Sequence, residues 1–275
     1  MRRKAKVTRG PYLLHLELLR ERVPSFGQFP YTLPALHSLD RLTFHPKVTF
    51  FVGENGTGKS TLLEALAVSV DLNPEGGSRN FNFATRASHS ELDSCLRVAK
   101  TMSLVQDSYF LRAESFYNVA TQIERIDPSL LAAYGGRSLH EQSHGESFFA
   151  LFEQRFRGCG LYLMDEPEAA LSPRRQLQFL SVLHDHCRRG SQFVIATHSP
   201  IIMAYPDAWI YVFSEEGIGR VPYTETEHYL VTRGFLSSPK SSLAELLADE
   251  ETVEPAPTAA SPREHGASSH DVEPA

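Results

Sequence analysis

Residues 53–61 read Gly53-Glu54-Asn55-Gly56-Thr57-Gly58-Lys59-Ser60-Thr61. The run before them, Val48-Thr49-Phe50-Phe51-Val52, is β-branched and aromatic, which is typical of a buried strand. The apolar residues after them fall on one stripe of a helix: Leu62, Leu63, Leu66 and Val70. The sequence therefore predicts a strand, a glycine-rich turn and a helix, in that order.

The turn follows the pattern G-x-x-x-x-G-K-[ST], which binds phosphate when a strand precedes it and a helix follows. Glycines let backbone N–H groups converge on phosphate oxygens, and the helix N-terminus adds its positive dipole end. We predict that Lys59 contacts the β- and γ-phosphates and that the Ser60 hydroxyl binds Mg²⁺. A glycine-rich turn without a ligand is the alternative, but the complete spacing and both flanks favour phosphate.

The length of 275 residues and a hydrophobic content of 41% predict one large α/β domain. Three scattered cysteines, Cys95, Cys159 and Cys187, argue against a disulfide framework and favour a reducing cytoplasm. We expect a cytoplasmic protein without a membrane span, because no apolar run approaches the ~20 residues that a spanning helix needs.

Composition divides the chain into three parts. Residues 1–10 form a basic arm, residues 11–248 the main domain, and residues 249–275 an acidic tail rich in Pro, Ala and Ser that we expect to be disordered. The tail holds seven acidic residues and one basic residue, so it carries the whole formal net charge of −6. The neutral remainder gives no charge signal for nucleic acid, and nucleic-acid binding stays open.

Three further strands are predicted to end in polar residues. Ser108 to Ala113 is followed by Glu114, Leu161 to Met164 by Asp165-Glu166-Pro167-Glu168, and Gln192 to Thr197 by His198. Open α/β sheets bind ligands at the carboxyl ends of their strands. We therefore expect these residues to share one edge of the sheet with the phosphate loop.

Other segments complete the expected elements. Strands are predicted within residues 11–23 and from Leu39 to Phe44, a hairpin within 209–223, and two helices within 226–248. Ser172 and Pro173 are expected to begin a helix whose buried stripe is Leu177, Leu180, Leu183 and Cys187. Tyr31 is either an aromatic that stacks on an adenine ring or one more core residue.

A capping box, Ser143-His144-Gly145-Glu146, precedes a predicted amphipathic helix. Together with the phosphate loop, Glu114, Asp165-Glu166 and His198, it completes a five-part order that resembles the ATP-binding-cassette (ABC) class of P-loop ATPases over residues 11–230. The resemblance implies a mostly parallel central sheet flanked by helices, a small antiparallel β region and a helical signature subdomain.

The resemblance also implies roles. Ser60, Asp165 and Glu114 would hold Mg²⁺, and Glu166 would orient or deprotonate the attacking water. His198 would hydrogen-bond the γ-phosphate and help to fix Glu166. Ser143 and Gly145 would cap the γ-phosphate bound to a second copy, so that two ATP molecules lie sandwiched in a homodimer.

Two departures from the family pattern bear on the function. The signature is Gln142-Ser143-His144-Gly145-Glu146 rather than Leu-Ser-Gly-Gly-Gln, and Glu114 stands where glutamine is usual. Asp-Glu-Pro-Glu and Thr-His-Ser-Pro look like the non-transporter "predicted ATPase", or AAA-family-ATPase-like, group. We expect a soluble Mg-dependent ATPase that drives an unidentified protein partner, in nucleic-acid processing or defence. The alternative is the nucleotide-binding subunit of an ABC transporter.

Overall fold

The computed structural model describes residues 10–78, 90–114, 149 and 151–248. Its strands are β1 Leu13–Leu18, β2 Arg41–Thr43, β3 Val48–Val52, β4 Leu96–Lys100, β5 Asp107–Arg112, β6 Gly160–Asp165, β7 Gln192–Ala196, β8 Ala208–Ser214 and β9 Gly217–Val221. Its α-helices are α1 Pro34–His37, α2 Lys59–Ser69, α3 Pro173–Arg188, α4 Pro200–Met203, α5 Glu227–Ser237 and α6 Pro239–Ala248.

The larger sheet has the strand order β5-β6-β7-β3-β8-β9. Its first five strands are parallel, and β9 pairs with β8 as an antiparallel hairpin. β3 lies between β7 and β8, with Val48 opposite Phe193 on one side and Ala208 on the other. The strand that leads into the phosphate loop is thus a central strand, as its continuous apolar sequence predicts.

The smaller sheet is antiparallel, with the order β2-β1-β4. β1 and β2 confirm the strands predicted near residues 11–23 and Leu39 to Phe44. β4 was not predicted, because Leu96-Arg97-Val98-Ala99-Lys100 is short and mixed in polarity. It forms a strand by pairing with β1, from Leu18 opposite Leu96 to Leu13 opposite Lys100.

Apolar side chains pack on both faces of the larger sheet. On β3, Phe50 belongs to one buried cluster and Phe51 to the other, because successive side chains of a strand point to opposite faces. Helix α2 adds Leu62, Leu63 and Leu66 to the second cluster. The α/β class with a mostly parallel sheet and a small antiparallel region is therefore confirmed; the expected helical signature subdomain falls largely outside the described residues.

The buried face of α3 differs from the prediction. Leu177 is 60% exposed, whereas Phe179 and Leu183 are fully buried. The stripe that packs on the sheet passes through the larger aromatic ring of Phe179, and Leu177, two residues earlier and on the other side of the helix, faces solvent. Ser172 precedes the helix as its N-cap but makes no side-chain capping hydrogen bond, and Pro173 occupies the first turn.

The described residues form two compact units that meet at the Thr232–Arg233 bond. The second unit contains the end of α5 and the whole of α6, and the two helices confirm the prediction for residues 226–248. In the parts of the chain that the structure describes, no helix combines the length and the apolar character needed to cross a membrane. The basic arm and the acidic tail predicted from composition lie outside these parts, apart from Gly10.

Candidate functional site

The carboxyl ends of β5, β6, β7 and β3 meet at one edge of the larger sheet, because these four strands are parallel neighbours. Ala113-Glu114, Glu166, Thr197-His198 and Gly53 follow the four strands at that edge. The structure thus brings together the predicted strand-end residues.

The phosphate loop requires glycine where the chain leaves β3. Gly53 has φ of 137°, and a Cβ built there would lie 2.2 Å from the carbonyl oxygen of Phe213. Gly58, with φ of 101°, is the N-cap of α2. Backbone N–H groups at the start of this helix have no partner within the helix itself, which leaves them available to an anion.

Lys59, the first residue of α2, is almost completely buried. Its Nζ lies 2.7 Å from the carbonyl oxygen of Gly53 and 2.7 Å from that of Glu54, so the loop curls around its own ammonium group. Burial lowers the pKa of Lys59, and the carboxylates of Glu166 and Asp165 oppose that shift. The loop therefore holds a desolvated cation at the start of the helix, where phosphate is expected.

Ser60 and Asp165 join the phosphate loop to the end of β6. The Ser60 hydroxyl donates a hydrogen bond of 3.0 Å to Asp165 Oδ1. Arg112 Nε lies 3.7 Å from the other carboxylate oxygen. Burial raises the pKa of Asp165, and the Arg112 guanidinium is the strongest influence against that rise.

Arg112, at the end of β5, was not singled out from the sequence. Its Nη1 lies 3.2 Å from Glu64 Oε2, and its Nη2 lies 3.7 Å from Glu114 Oε2. The Glu114 side chain is 88% exposed at the rim of the site. Only the sheet shows that Arg112 stands beside Asp165, since the register pairs these two residues across β5 and β6.

Glu166 adopts a left-handed backbone conformation, with φ of 51° and ψ of 52°. Its N–H donates to the carbonyl oxygen of Ala196, which ties the turn after β6 to the end of β7. Its side chain is 45% exposed, and Oε1 lies 3.7 Å from His198 Nε2. A non-glycine residue in this conformation is strained, and such strain concentrates at functional sites.

Glu168 forms hydrogen bonds with two residues that follow β7. Its Oε2 accepts a hydrogen bond of 2.8 Å from the Thr197 hydroxyl, and its Oε1 accepts one of 2.5 Å from the backbone N–H of His198. Burial raises the pKa of Glu168, and these hydrogen bonds oppose the rise. Both carboxylate oxygens are thus engaged at the end of β7, one with Thr197 and one with His198, which the sequence did not indicate.

A cleft of about 750 Å³ opens beside the loop. Its lining includes Phe29, Leu33, Lys59, Arg112, Glu114 and Glu166. Phe29 is 67% exposed, whereas Tyr31 is buried and donates its hydroxyl hydrogen to Cys95 Sγ at 3.1 Å. Tyr31 is therefore a core residue, and the aromatic ring available at the cleft belongs to Phe29, two residues earlier.

Ser143 and Gly145 lie outside the described residues. The same holds for the rest of the predicted signature and for its capping box.

Comparison with known proteins gives two partial family matches. A family described as "AAA domain, putative AbiEii toxin, Type IV TA system" matches residues 133–204, and one described as "AAA domain" matches residues 25–125.

Among curated relatives, the hemin import ATP-binding protein HmuV of Nocardia farcinica is 30% identical over 194 residues, which cover 63% of this chain and 67% of that protein. HmuV of Rhodopseudomonas palustris (strain HaA2) is 27% identical over 183 residues, covering 59% and 69%. Among solved structures, cbiO1 from Clostridium perfringens, part of the ABC transporter complex cbiONQ, is 16% identical with a TM-score of 0.48. That match covers 86% of this chain and 99% of cbiO1.

Proposed function

The chain belongs to the ABC-type P-loop ATPases and hydrolyses ATP, and from that premise we propose that it binds Mg-ATP in the cleft beside α2 and works as an ATP-sandwich homodimer that drives a protein partner. The observation that carries the proposal is the contact between Ser60 and Asp165 beside the buried Lys59 ammonium. Cation, hydroxyl and carboxylate stand together at one edge of the sheet, as nucleotide phosphates and their metal require.

ATP binding follows from the loop and the cleft. Lys59 exchanges its loop carbonyl partners for β- and γ-phosphate oxygens, and the N–H groups of residues 54–61 surround the phosphates. Phe29 stacks on the adenine ring, since it is the exposed aromatic of the cleft and every base has a π-face.

Mg²⁺ fits the residues present. Ser60 and Asp165 would hold it, with Glu114 at the rim, and all three offer the oxygen ligands that this hard cation prefers. When bound, Mg²⁺ would supply positive charge that offsets the charge of the phosphate oxygens. Arg112 adds a fixed cation on the opposite side of Asp165 and holds that carboxylate in place.

Glu166 is the base in this proposal. Its carboxylate lines the cleft and is partly exposed, so it can orient the attacking water and take its proton. Glu168 is a poor candidate for that step, because the Thr197 hydroxyl and the His198 N–H occupy its two oxygens. His198 lies across from Glu166, where a ring N–H can reach both the carboxylate and the γ-phosphate.

Dimerisation is supported by the exposure of the base. A carboxylate that is 45% exposed in one chain is open to bulk water, whereas phosphoryl transfer needs an electrostatic environment from which water is excluded. A second copy that presents Ser143 and Gly145 over the γ-phosphate would close the site. This step rests on the family resemblance.

Two classes of partner are supported by different observations. The Asp-Glu-Pro-Glu motif and the match to a family described by a toxin of a toxin–antitoxin system favour a soluble assembly in defence or nucleic-acid processing. The curated relatives named for hemin import favour the alternative, a transporter subunit. Tagged Glu166→Gln protein purified with ATP distinguishes these classes: an integral-membrane partner supports transport, and a soluble partner supports the first.

The sandwich is tested by light scattering of the Glu166→Gln variant with and without Mg-ATP. We expect monomers to become dimers on addition of ATP, because the slowed reaction keeps both γ-phosphates in place. The matched control is Ser143→Arg in the same background, which should bind ATP but remain monomeric, because the cation blocks the partner's site.

Mixing single variants sharpens that test. A heterodimer of Lys59→Ala and Ser143→Arg chains has one site with both defects and one with neither, so ATPase activity should reappear on mixing two inactive proteins. Full activity in a strictly monomeric enzyme would contradict the sandwich and leave Ser143 as a helix cap.

A further inference from the structure

A second histidine lies against His198. His228, in the first turn of α5, has its Nε2 3.2 Å from His198 Nδ1, and the two ring centroids are 5.4 Å apart. The start of α5 is well anchored: Thr226 is buried, its hydroxyl donates to the carbonyl oxygen of Tyr223, and the Tyr223 hydroxyl donates to that of Pro200. His228 is therefore held in place next to the end of β7.

A hydrogen bond between two neutral imidazole rings has two forms. One ring must donate and the other accept, because each neutral ring carries one N–H and one lone pair. If His228 donates from Nε2, the proton of His198 resides on Nε2. If His198 donates from Nδ1, its Nε2 is left with a lone pair.

The surroundings of His198 Nε2 favour the first form. This atom is buried, lies 3.7 Å from Glu166 Oε1, and has no hydrogen-bond partner among the described residues. A lone pair aimed at a carboxylate, and in the ATP-bound state at a phosphate, is repelled, whereas an N–H is attracted. Glu168 also fixes the backbone of His198, which limits the region that its ring can reach.

We propose that His228 is a positioning residue that donates its Nε2–H to His198 Nδ1 and so keeps the His198 proton on Nε2, facing Glu166 and the γ-phosphate. This inference rests on the proposed function for the role of that proton, but not for the hydrogen bond itself. His228 lies outside the five motifs, on helix α5, which follows the last of them in the chain.

The proposal requires that both imidazole rings are neutral near pH 7. Burial lowers the pKa of His198 and of His228, and the Lys59 ammonium lowers both further. Glu166 opposes the shift at His198; Glu227 and Glu54 oppose it at His228. Near pH 7 the pair therefore shares N–H groups and lone pairs rather than carrying a charge.

The test compares His228→Leu, which cannot donate, with His228→Gln, whose amide nitrogen can replace Nε2–H. Protein selectively labelled with ¹⁵N-histidine and free of nucleotide reports the His198 tautomer through its two-bond nitrogen–proton correlations. We expect the Nε2–H form in the parent and in His228→Gln, and a mixture in His228→Leu. Leu230→Ala, an exposed change on the same helix, is the control.

Steady-state kinetics supply the second measurement. His228→Leu should lower kcat on the order of 10-fold with an unchanged Kd for ATP, and His228→Gln should recover most of the loss. An Nδ1–H form of His198 in the parent, or an unchanged tautomer and kcat in a folded His228→Leu protein, would overturn the proposal. If His228→Leu does not fold, the His198 tautomers of the parent and of His228→Gln decide whether the proposal holds.

The tautomer is measured without turnover, so the two proposals can fail separately. A parent that shows the Nε2–H form but does not depend on Glu166 for hydrolysis would keep the hydrogen bond and reject the assigned base.

Discussion

Two buried polar clusters at opposite edges of the larger sheet differ in their hydrogen bonding. At the amino-terminal edge, Asp107 accepts hydrogen bonds from Arg155 Nη1 at 2.7 Å, the Tyr162 hydroxyl at 3.0 Å and the Arg157 N–H at 3.3 Å. At the carboxyl-terminal edge, His198 Nε2 is buried without such a partner among the described residues, and Glu166 is held in a left-handed conformation. The partners of Asp107 all belong to the protein, and we expect a bound nucleotide to supply the partner that His198 Nε2 lacks.

Gln192 is a second polar side chain at the amino-terminal edge whose partners belong to the protein, although His186 Nδ1, near the same edge, is buried without a partner among the described residues. Its side-chain oxygen accepts from the N–H groups of Tyr12 and Leu13, and its amide donates to the carbonyl oxygens of Leu13 and His45. A residue at the start of β7 thereby fastens the smaller sheet to the larger one. Buried polar groups with every partner present stabilise a fold, whereas groups with missing partners reduce its stability.

We expect changes at the carboxyl-terminal edge to alter activity and changes at the amino-terminal edge to alter stability.

The largest effect is expected from Lys59→Ala, which removes a buried charge from the phosphates. ATP affinity should fall on the order of 100-fold or more and turnover should disappear, as measured by calorimetry and phosphate release. Lys47→Ala, which removes an exposed lysine paired with Asp207, is the control and should retain both. Equal ATP affinity in Lys59→Ala would contradict the phosphate-loop assignment.

Glu166→Gln separates binding from chemistry. The amide keeps the size of the side chain but cannot take a proton, so kcat should fall by roughly 10²–10⁴ while ATP still binds. Glu168→Gln should cost less, on the order of 10-fold, since it only loosens the hold on His198. Turnover of Glu166→Gln at the parent rate, in a single-turnover assay, would remove Glu166 from the proposed chemistry.

Asp107→Ala tests the opposite edge. It removes the acceptor that a partly buried arginine and a buried tyrosine hydroxyl share, and should lower the free energy of unfolding by about 3 kcal/mol. Urea titration measures this loss, and Asp40→Ala, at an exposed ion pair with Arg20, should change it by less than about 1 kcal/mol. The folded Asp107→Ala protein should bind ATP with the parent affinity; a specific loss of affinity at full stability would break the distinction between the edges.

The smallest effect expected is a gain. Asn tolerates the left-handed conformation better than Glu, so Glu166→Asn should raise the free energy of unfolding by about 1 kcal/mol while it abolishes turnover. Thermal unfolding of the parent and the variant provides the measurement. A variant less stable than the parent would show that the left-handed conformation of Glu166 does not reduce the stability of the parent.

Local patterns in the sequence predicted most of the architecture. The apolar run at Val48 to Val52, the glycine spacing and the stripe of Leu62, Leu63 and Leu66 each depend on neighbouring residues, and all three elements have the predicted form. The strands that end at Arg112, Asp165 and Ala196 were predicted for the same reason.

Other features could not be derived in this way. β4 is a strand because β1 lies beside it, and the buried face of α3 is chosen by the sheet that it covers. Tyr31 and Phe29 lie two residues apart, and only the packing around Cys95 assigns one to the core and the other to the cleft.

The sequence by itself determined the phosphate loop, because its chemistry resides in consecutive residues whose backbone conformation glycine dictates. It also determined which strands end in Glu114, Asp165-Glu166 and His198. Tertiary structure alone decided that Arg112 stands beside Asp165, that Glu168 accepts hydrogen bonds from Thr197 and His198, and that His228 reaches His198 from a distant helix. These contacts join residues far apart in the chain, and their distances follow from strand order, register and packing, which no short stretch of sequence encodes.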